Sequence, residues 1–106
     1  MNANNNNNEF VILINVYSVE SANQDKLTKE LINAAETIMK IQKGYIGSRV
    51  LKSRDSKSVA VYAHWEKLLD ATEVFKNPKN TEYLERIAML GSPSPNFYDS
   101  VYSYNI

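Results

Sequence analysis

Few side chains in this sequence are equipped for chemistry, and those that are lie in or beside strand-like segments. Asn15 sits inside FVILINVY. An amide is disfavoured within a strand, and burying it without partners costs about 1–3 kcal/mol. Asn15 therefore either bonds a neighbouring group or faces a polar pocket. Trp65 closes a second β-rich run, SVAVYAHW, where it serves as a core tryptophan or as a pocket wall. Tyr17 and Tyr83 each pair an apolar ring with one hydroxyl and suit either setting. Arg86 falls in the last helical stretch; turned inward, its guanidinium could pair with an anionic substrate, and turned outward it is solvated. The sole histidine, His64, precedes Trp65 in the same strand and so points to the opposite face. Imidazole titrates near neutrality, but this placement reads as a sheet-face or interface residue rather than a catalytic base.

The missing residue types narrow the chemistry further. The chain contains no cysteine, which removes thiolate catalysis, disulfides and Cys-ligated metal. It has no P-loop, no GxGxxG, no HExxH and no nucleophile elbow. With one histidine and no carboxylates grouped by spacing, no metal site and no cofactor are expected. Twelve basic residues balance twelve acidic ones, and no Lys/Arg stripe stands out, so nucleic acid is not an expected partner. No run approaches the roughly 18 apolar residues of a membrane span. The N-terminus lacks a basic segment followed by an apolar one, and a cytoplasmic location is expected.

These side chains need elements to position them. Residues 2–8, NANNNNN, have nothing to bury, and residues 1–8 read as a disordered tail. A chain of 106 residues with 43% hydrophobic content then leaves one domain over 9–106. The first strand, from Phe10, places Phe10, Ile12, Ile14 and Val16 on one face and Val11, Leu13, Asn15 and Tyr17 on the other. Ser21 and Gln24 have the spacing of a capping box, and Leu27, Leu31, Ala34, Ala35 and Ile38 follow as one helical stripe. Tyr45–Ser53 and Ser58–Trp65 read as a hairpin turning through Arg54-Asp55-Ser56-Lys57. Leu68–Phe75 is a short helix, Asn77-Pro78 starts another that runs to about Leu90, and the Gly91-to-Pro95 stretch breaks it. Phe97–Tyr104 is expected to be the last strand.

The order strand, helix, strand, strand, helices, strand predicts an α+β domain of ferredoxin-like β-α-β-β-α-β type with a four-stranded antiparallel sheet. Helices cover one face of such a sheet. The other would expose Phe10, Ile12, Ile14 and Tyr62, so a second copy packing sheet against sheet, a homodimer, is expected.

The segment VAVYAHWEKLLDATEVFKNPKNTEYLERI resembles the antibiotic biosynthesis monooxygenase family, with its strand ending in tryptophan followed by helices interrupted near a proline. KGYIGSRVLKSRDSKSVAVYAHW is similar to the hairpin that precedes them in that family, and the likeness spans about residues 9–104. The resemblance implies a dimeric α/β barrel. It also implies relationship to cofactor-free oxygenases that turn anthrone-type polyketides into quinones, to quinol monooxygenases and to haem-degrading enzymes. Trp65 matches the family tryptophan, while Val61 stands where anthrone oxygenases carry an asparagine. Their helical tyrosine falls near Ala71, and their functional arginine lies close to Arg86. Asn15 matches an asparagine of the haem-degrading branch, whose iron-ligating histidine falls near Tyr83 or Leu84, leaving no axial ligand.

The resulting expectation is a monooxygenase without cofactor that oxidises a flat aromatic or quinol-type molecule with dioxygen. Trp65 and Asn15 would be its catalytic residues, and Tyr17, Val61, Tyr83 and Arg86 would bind substrate. Two other readings use the same fold: a non-catalytic dimeric barrel binding a small hydrophobic ligand, and an isomerase, since one fold hosts many reactions.

Overall fold

The computed structural model describes residues 10–105, so the tail expected over residues 1–8 lies outside the described residues. In chain order the elements are β1 (Val11–Val19), α1 (Gln24–Thr37), β2 (Tyr45–Lys52), β3 (Ser58–Trp65), α2 (Leu68–Lys76), α3 (Thr81–Leu90) and β4 (Gly91–Tyr98). The strands form one antiparallel sheet in the order β2-β3-β1-β4. The fold is α+β and ferredoxin-like, as the pattern predicts.

Strand alternation sets which side chains meet the helices. On β1, Leu13, Asn15 and Tyr17 are buried; on β3, Val59, Ala63 and Trp65 are. The α1 stripe supplies Leu27, Leu31 and Ala34, which join Tyr17, Val59, Tyr83 and Ile87 in one core cluster. A second cluster gathers Leu13, Ala63 and Trp65 against Ala71 and Val74 of α2. Truncating a buried leucine such as Leu27 to alanine costs about 2–5 kcal/mol, a large share of a small domain's margin.

The capping box does not form. The N-cap of α1 is Asn23, which makes no side-chain cap bond, after a single 3-10 turn over Ser21–Asn23. Gln24 turns instead to the hairpin, where its Nε2 donates to the carbonyl oxygens of Ser53 and Ser58 at 3.0 Å each. An amide that fastens a helix start to a neighbouring hairpin satisfies two strand-end acceptors, which a local cap cannot. The cap expected at Asn77 does form, its side chain accepting from the Lys79 amide at 3.0 Å.

The last strand lies earlier than predicted. It starts at Gly91 and runs through Pro93 and Pro95, while Val101, Tyr102 and Tyr104 lie in irregular chain and are exposed. Two physical reasons account for the shift. β4 is an edge strand, where a proline's missing N–H removes no bond to a further strand. Gly91 allows close approach, since a Cβ there would come within 2.8 Å of Leu27 Cδ2 and 3.0 Å of the Ser18 carbonyl.

The face of the sheet away from the helices carries Phe10, Val16, Leu51 and Tyr98, all exposed. Ile12 on that face is buried and Ile14 half-buried. Among the described residues no helix is long and apolar enough to cross a membrane.

Candidate active site

Between the helix-facing side of the sheet and the helices lie two adjoining cavities, an inner chamber of about 50 Å³ and an outer one of about 400 Å³. They share Leu13, Asn15 and Tyr17 of β1 and Phe75 of α2 as walls. The outer volume falls in the range of roughly 300–1,000 Å³ usual for small-molecule sites. The inner one exceeds the ~10–15 Å³ that holds a single water.

Polar groups on these walls are few and specifically arranged. The Ser94 backbone N–H donates to Asn15 Oδ1 at 3.1 Å, and Asn15 Nδ2 lies 3.1 Å from Tyr17 Oη. A backbone amide can only donate, so the oxygen of the Asn15 amide must face it and the nitrogen must face the phenol. Tyr17 Oη is therefore the acceptor of that second bond. Asn15 thus has partners for both ends of its amide and also lines the cavities, so the two alternatives left open by its sequence context hold together.

Trp65 lines the inner chamber and is 1% exposed. Its ring packs edge-on to Tyr45, with centroids 5.4 Å apart and planes at 68°. Its Nε1 is a buried donor with no partner among the described residues. Val61 and Tyr83 also line the inner chamber. Burial drives the Tyr17 phenol well above the usual tyrosine range, with Tyr83 adding to the effect. Tyr83 is pushed up to about 12, chiefly by burial and then by Glu30, with Arg86 acting in the opposite direction. Both phenols stay protonated at neutral pH and can donate, but are poor bases.

The other sequence-predicted groups stand elsewhere. Arg86 lines neither cavity; its Nε lies 3.5 Å from Glu30 Oε1, half-exposed between α3 and α1. Its position on α3 sets it against an α1 carboxylate, apart from the cavity walls. His64 is on the opposite sheet face beside Tyr62, with ring centroids 5.1 Å apart. Among the described residues no three His, Asp or Glu side chains gather as metal ligands.

Several wall residues escaped the sequence reading. Pro93, Pro95 and Phe97 line the outer cavity together with Phe75 and Lys76. The every-second spacing of the first three is a strand signal, masked in the sequence because proline ordinarily breaks a strand. Tyr45 and Ser48, whose hydroxyls are hydrogen-bonded to each other, both line the inner chamber although they are three apart. A bulge between Tyr45 and Gly47 inserts an extra residue and resets the alternation.

Tetracenomycin-F1 monooxygenase of Streptomyces glaucescens is 24% identical over 96 residues, covering 91% of this chain and 86% of that protein. SnoaB, a cofactor-independent oxygenase from Streptomyces nogalater, superposes with a TM-score of 0.77 at 14% identity, over 92% of this chain and 99% of SnoaB. The resemblance to the antibiotic biosynthesis monooxygenases is borne out. Another solved structure of similar fold, the monooxygenase ActVA-Orf6 of Streptomyces coelicolor in complex with nanaomycin D, gives a TM-score of 0.78 at 22% identity, over 94% of each chain. No protein-family model matches the chain. The antibiotic biosynthesis monooxygenase likeness thus rests on one sequence relative and on a shared fold over nearly the whole described chain.

Proposed function

We propose that this protein is a monooxygenase that needs no cofactor and oxidises a flat aromatic or quinol-type small molecule with dioxygen. The observation that carries the reading is the outer apolar cavity, about 400 Å³, continuous in its walls with a small chamber bearing hydrogen-bond donors. Phe75, Phe97, Pro93 and Pro95 offer flat apolar surfaces for a ring system. Among the described residues Lys76 is the one charged side chain in the walls of either cavity. Walls of this kind bind and orient, so the reactivity has to come from the substrate.

An ionised electron-rich ring can supply it. The substrate anion passes one electron to dioxygen, and the resulting ring radical and superoxide combine to form a carbon–oxygen bond. Protonation gives a hydroperoxide, which loses water as the carbonyl forms. For a ring CH2 group the balance is one dioxygen consumed, one oxygen atom retained, one water released, and all four electrons drawn from that carbon. The protein holds the ring, favours its anion and limits water, which are positioning and electrostatic tasks.

We further propose that the working unit is a homodimer. Phe10, Val16, Leu51 and Tyr98 on the uncovered sheet face support this, because apolar groups gathered on one face seek a partner surface.

Oxygen uptake by purified protein over a panel of anthrones and quinols, without added cofactor, tests the reaction. Uptake matched by quinone formation is expected. Tight binding of these rings with no uptake beyond the uncatalysed rate would favour the ligand-binding barrel.

A further inference from the structure

The bond between Asn15 and Tyr17 has a fixed polarity, and that polarity decides where the Tyr17 proton is available. Ser94 N–H holds Asn15 Oδ1, so Asn15 Nδ2 must donate to Tyr17 Oη. Tyr17 Oη already accepts along that direction, and its own hydrogen is left to point away from Asn15. Among the described residues no protein acceptor takes that hydrogen, and Tyr17 borders both cavities. The Trp65 indole N–H, on the wall of the inner chamber, is a second buried donor without an acceptor. The Tyr17 hydroxyl borders the cavities in walls without a carboxylate or imidazole, so its free hydrogen calls for an acceptor atom on a ligand.

We propose that Tyr17 is a catalytic hydrogen-bond donor to a ring oxyanion, the ionised oxygen of a phenol or enol, and that Asn15 is its positioning residue. This deepens the monooxygenase reading and rests on it for the identity of the ligand as substrate. Asn15 then acts on the ring only through Tyr17, by turning the phenol proton into the chamber. Burial keeps Tyr17 protonated, so it donates to the anion and does not compete with it for the proton. A donor set fixed before the ligand arrives needs little reorganisation when charge develops, which is the condition for electrostatic catalysis.

The test uses alizarin, a flat hydroxyanthraquinone that changes colour on ionisation and is already oxidised, so that binding is read without turnover. Absorbance titrations at several pH values give the affinities of its neutral and anionic forms for the full-length protein. Wild type is expected to prefer the anion. Tyr17→Phe, which keeps the ring, should weaken anion binding by about tenfold, as expected for loss of a hydrogen bond to a charged group, while binding of the neutral form changes by no more than about twofold. Asn15→Ala should weaken anion binding comparably, and the double variant should be no weaker than Tyr17→Phe alone. Asn15→Ser serves as the second variant, and Tyr17→Phe decides the donor role even where both Asn15 variants fold poorly. Additive losses, anion binding untouched by Tyr17→Phe, or a wild type with no preference for the anion would overturn the assignment. Preserved anion binding in a protein that consumes no oxygen with any ring would count against the reaction and leave the assignment standing. Oxygen uptake unaffected by Tyr17→Phe would count against the assignment and leave the reaction standing.

Discussion

The Ser94 amide and the Asn15 side chain, 3.1 Å apart, join β4 to β1 through a side chain as well as through the strand pairing. Asn15 lies opposite Pro95, which has no N–H to offer, while Ser94 between the two prolines has one. The edge strand that walls the outer cavity is thus anchored at the residue that also orients Tyr17.

Removing this anchor should be felt in stability as well as in binding. Asn15→Ala deletes one buried and one part-buried hydrogen bond and leaves the Ser94 amide one acceptor short. A loss of about 1–3 kcal/mol is expected, read as a lower urea midpoint with an unchanged slope. A midpoint equal to wild type would mean that water replaces Asn15 at no cost.

The start of α1 offers a sharper contrast. Gln24 donates to two hairpin carbonyls, whereas Ser21 makes no cap bond to the helix. Gln24→Ala should cost about 1–2 kcal/mol, and Ser21→Ala should stay within about 0.5 kcal/mol, as for a surface site. The reverse order in thermal unfolding would restore the capping box.

Alkaline unfolding should report the buried phenols. Tyr83 is raised to about 12 in the folded chain and Tyr17 is raised as well, against about 10 when unfolded. The folded state holds these protons more tightly, so the stability they contribute is complete below about pH 10. It is lost as pH rises through the folded values, because the unfolded chain ionises first. Tyr83→Phe should flatten the decline between about pH 10 and 12 relative to wild type. A decline of the same steepness in that variant would assign the effect to other groups.

The uncovered sheet face should pair with its copy in solution. Sedimentation at micromolar concentration is expected to give twice the chain mass, and Leu51→Lys should shift the population toward monomer by charging that face. A wild-type monomer throughout this range would contradict the homodimer.

Much of this architecture was legible because strand alternation and helical stripes are local signals. The faces of β1 and β3, the α1 stripe and the hairpin turn needed only the spacing of apolar residues. The position of β4 was not legible, because an edge position, known only from the sheet order, is what makes Pro93 and Pro95 tolerable. For the candidate site, residue type and placement single out Asn15, Tyr17, Val61, Trp65 and Tyr83, and all five line the cavities. Arg86 stands apart from these walls in an ion pair with Glu30, 56 positions away in the chain, which no local spacing marks. Ser48 was missed because a bulge changes the alternation without marking the sequence.

In the proposed reaction one atom of dioxygen enters a ring substrate without help from a bound cofactor. The most direct measurement supplies an anthrone, dioxygen enriched in the heavy oxygen isotope and the purified protein in metal-chelated buffer, and weighs the product by mass spectrometry. The expected product is a quinone carrying one heavy oxygen atom, formed faster than in the absence of protein and slowed by Tyr17→Phe. A product carrying only ordinary oxygen, or labelled quinone formed at the protein-free rate, would contradict it.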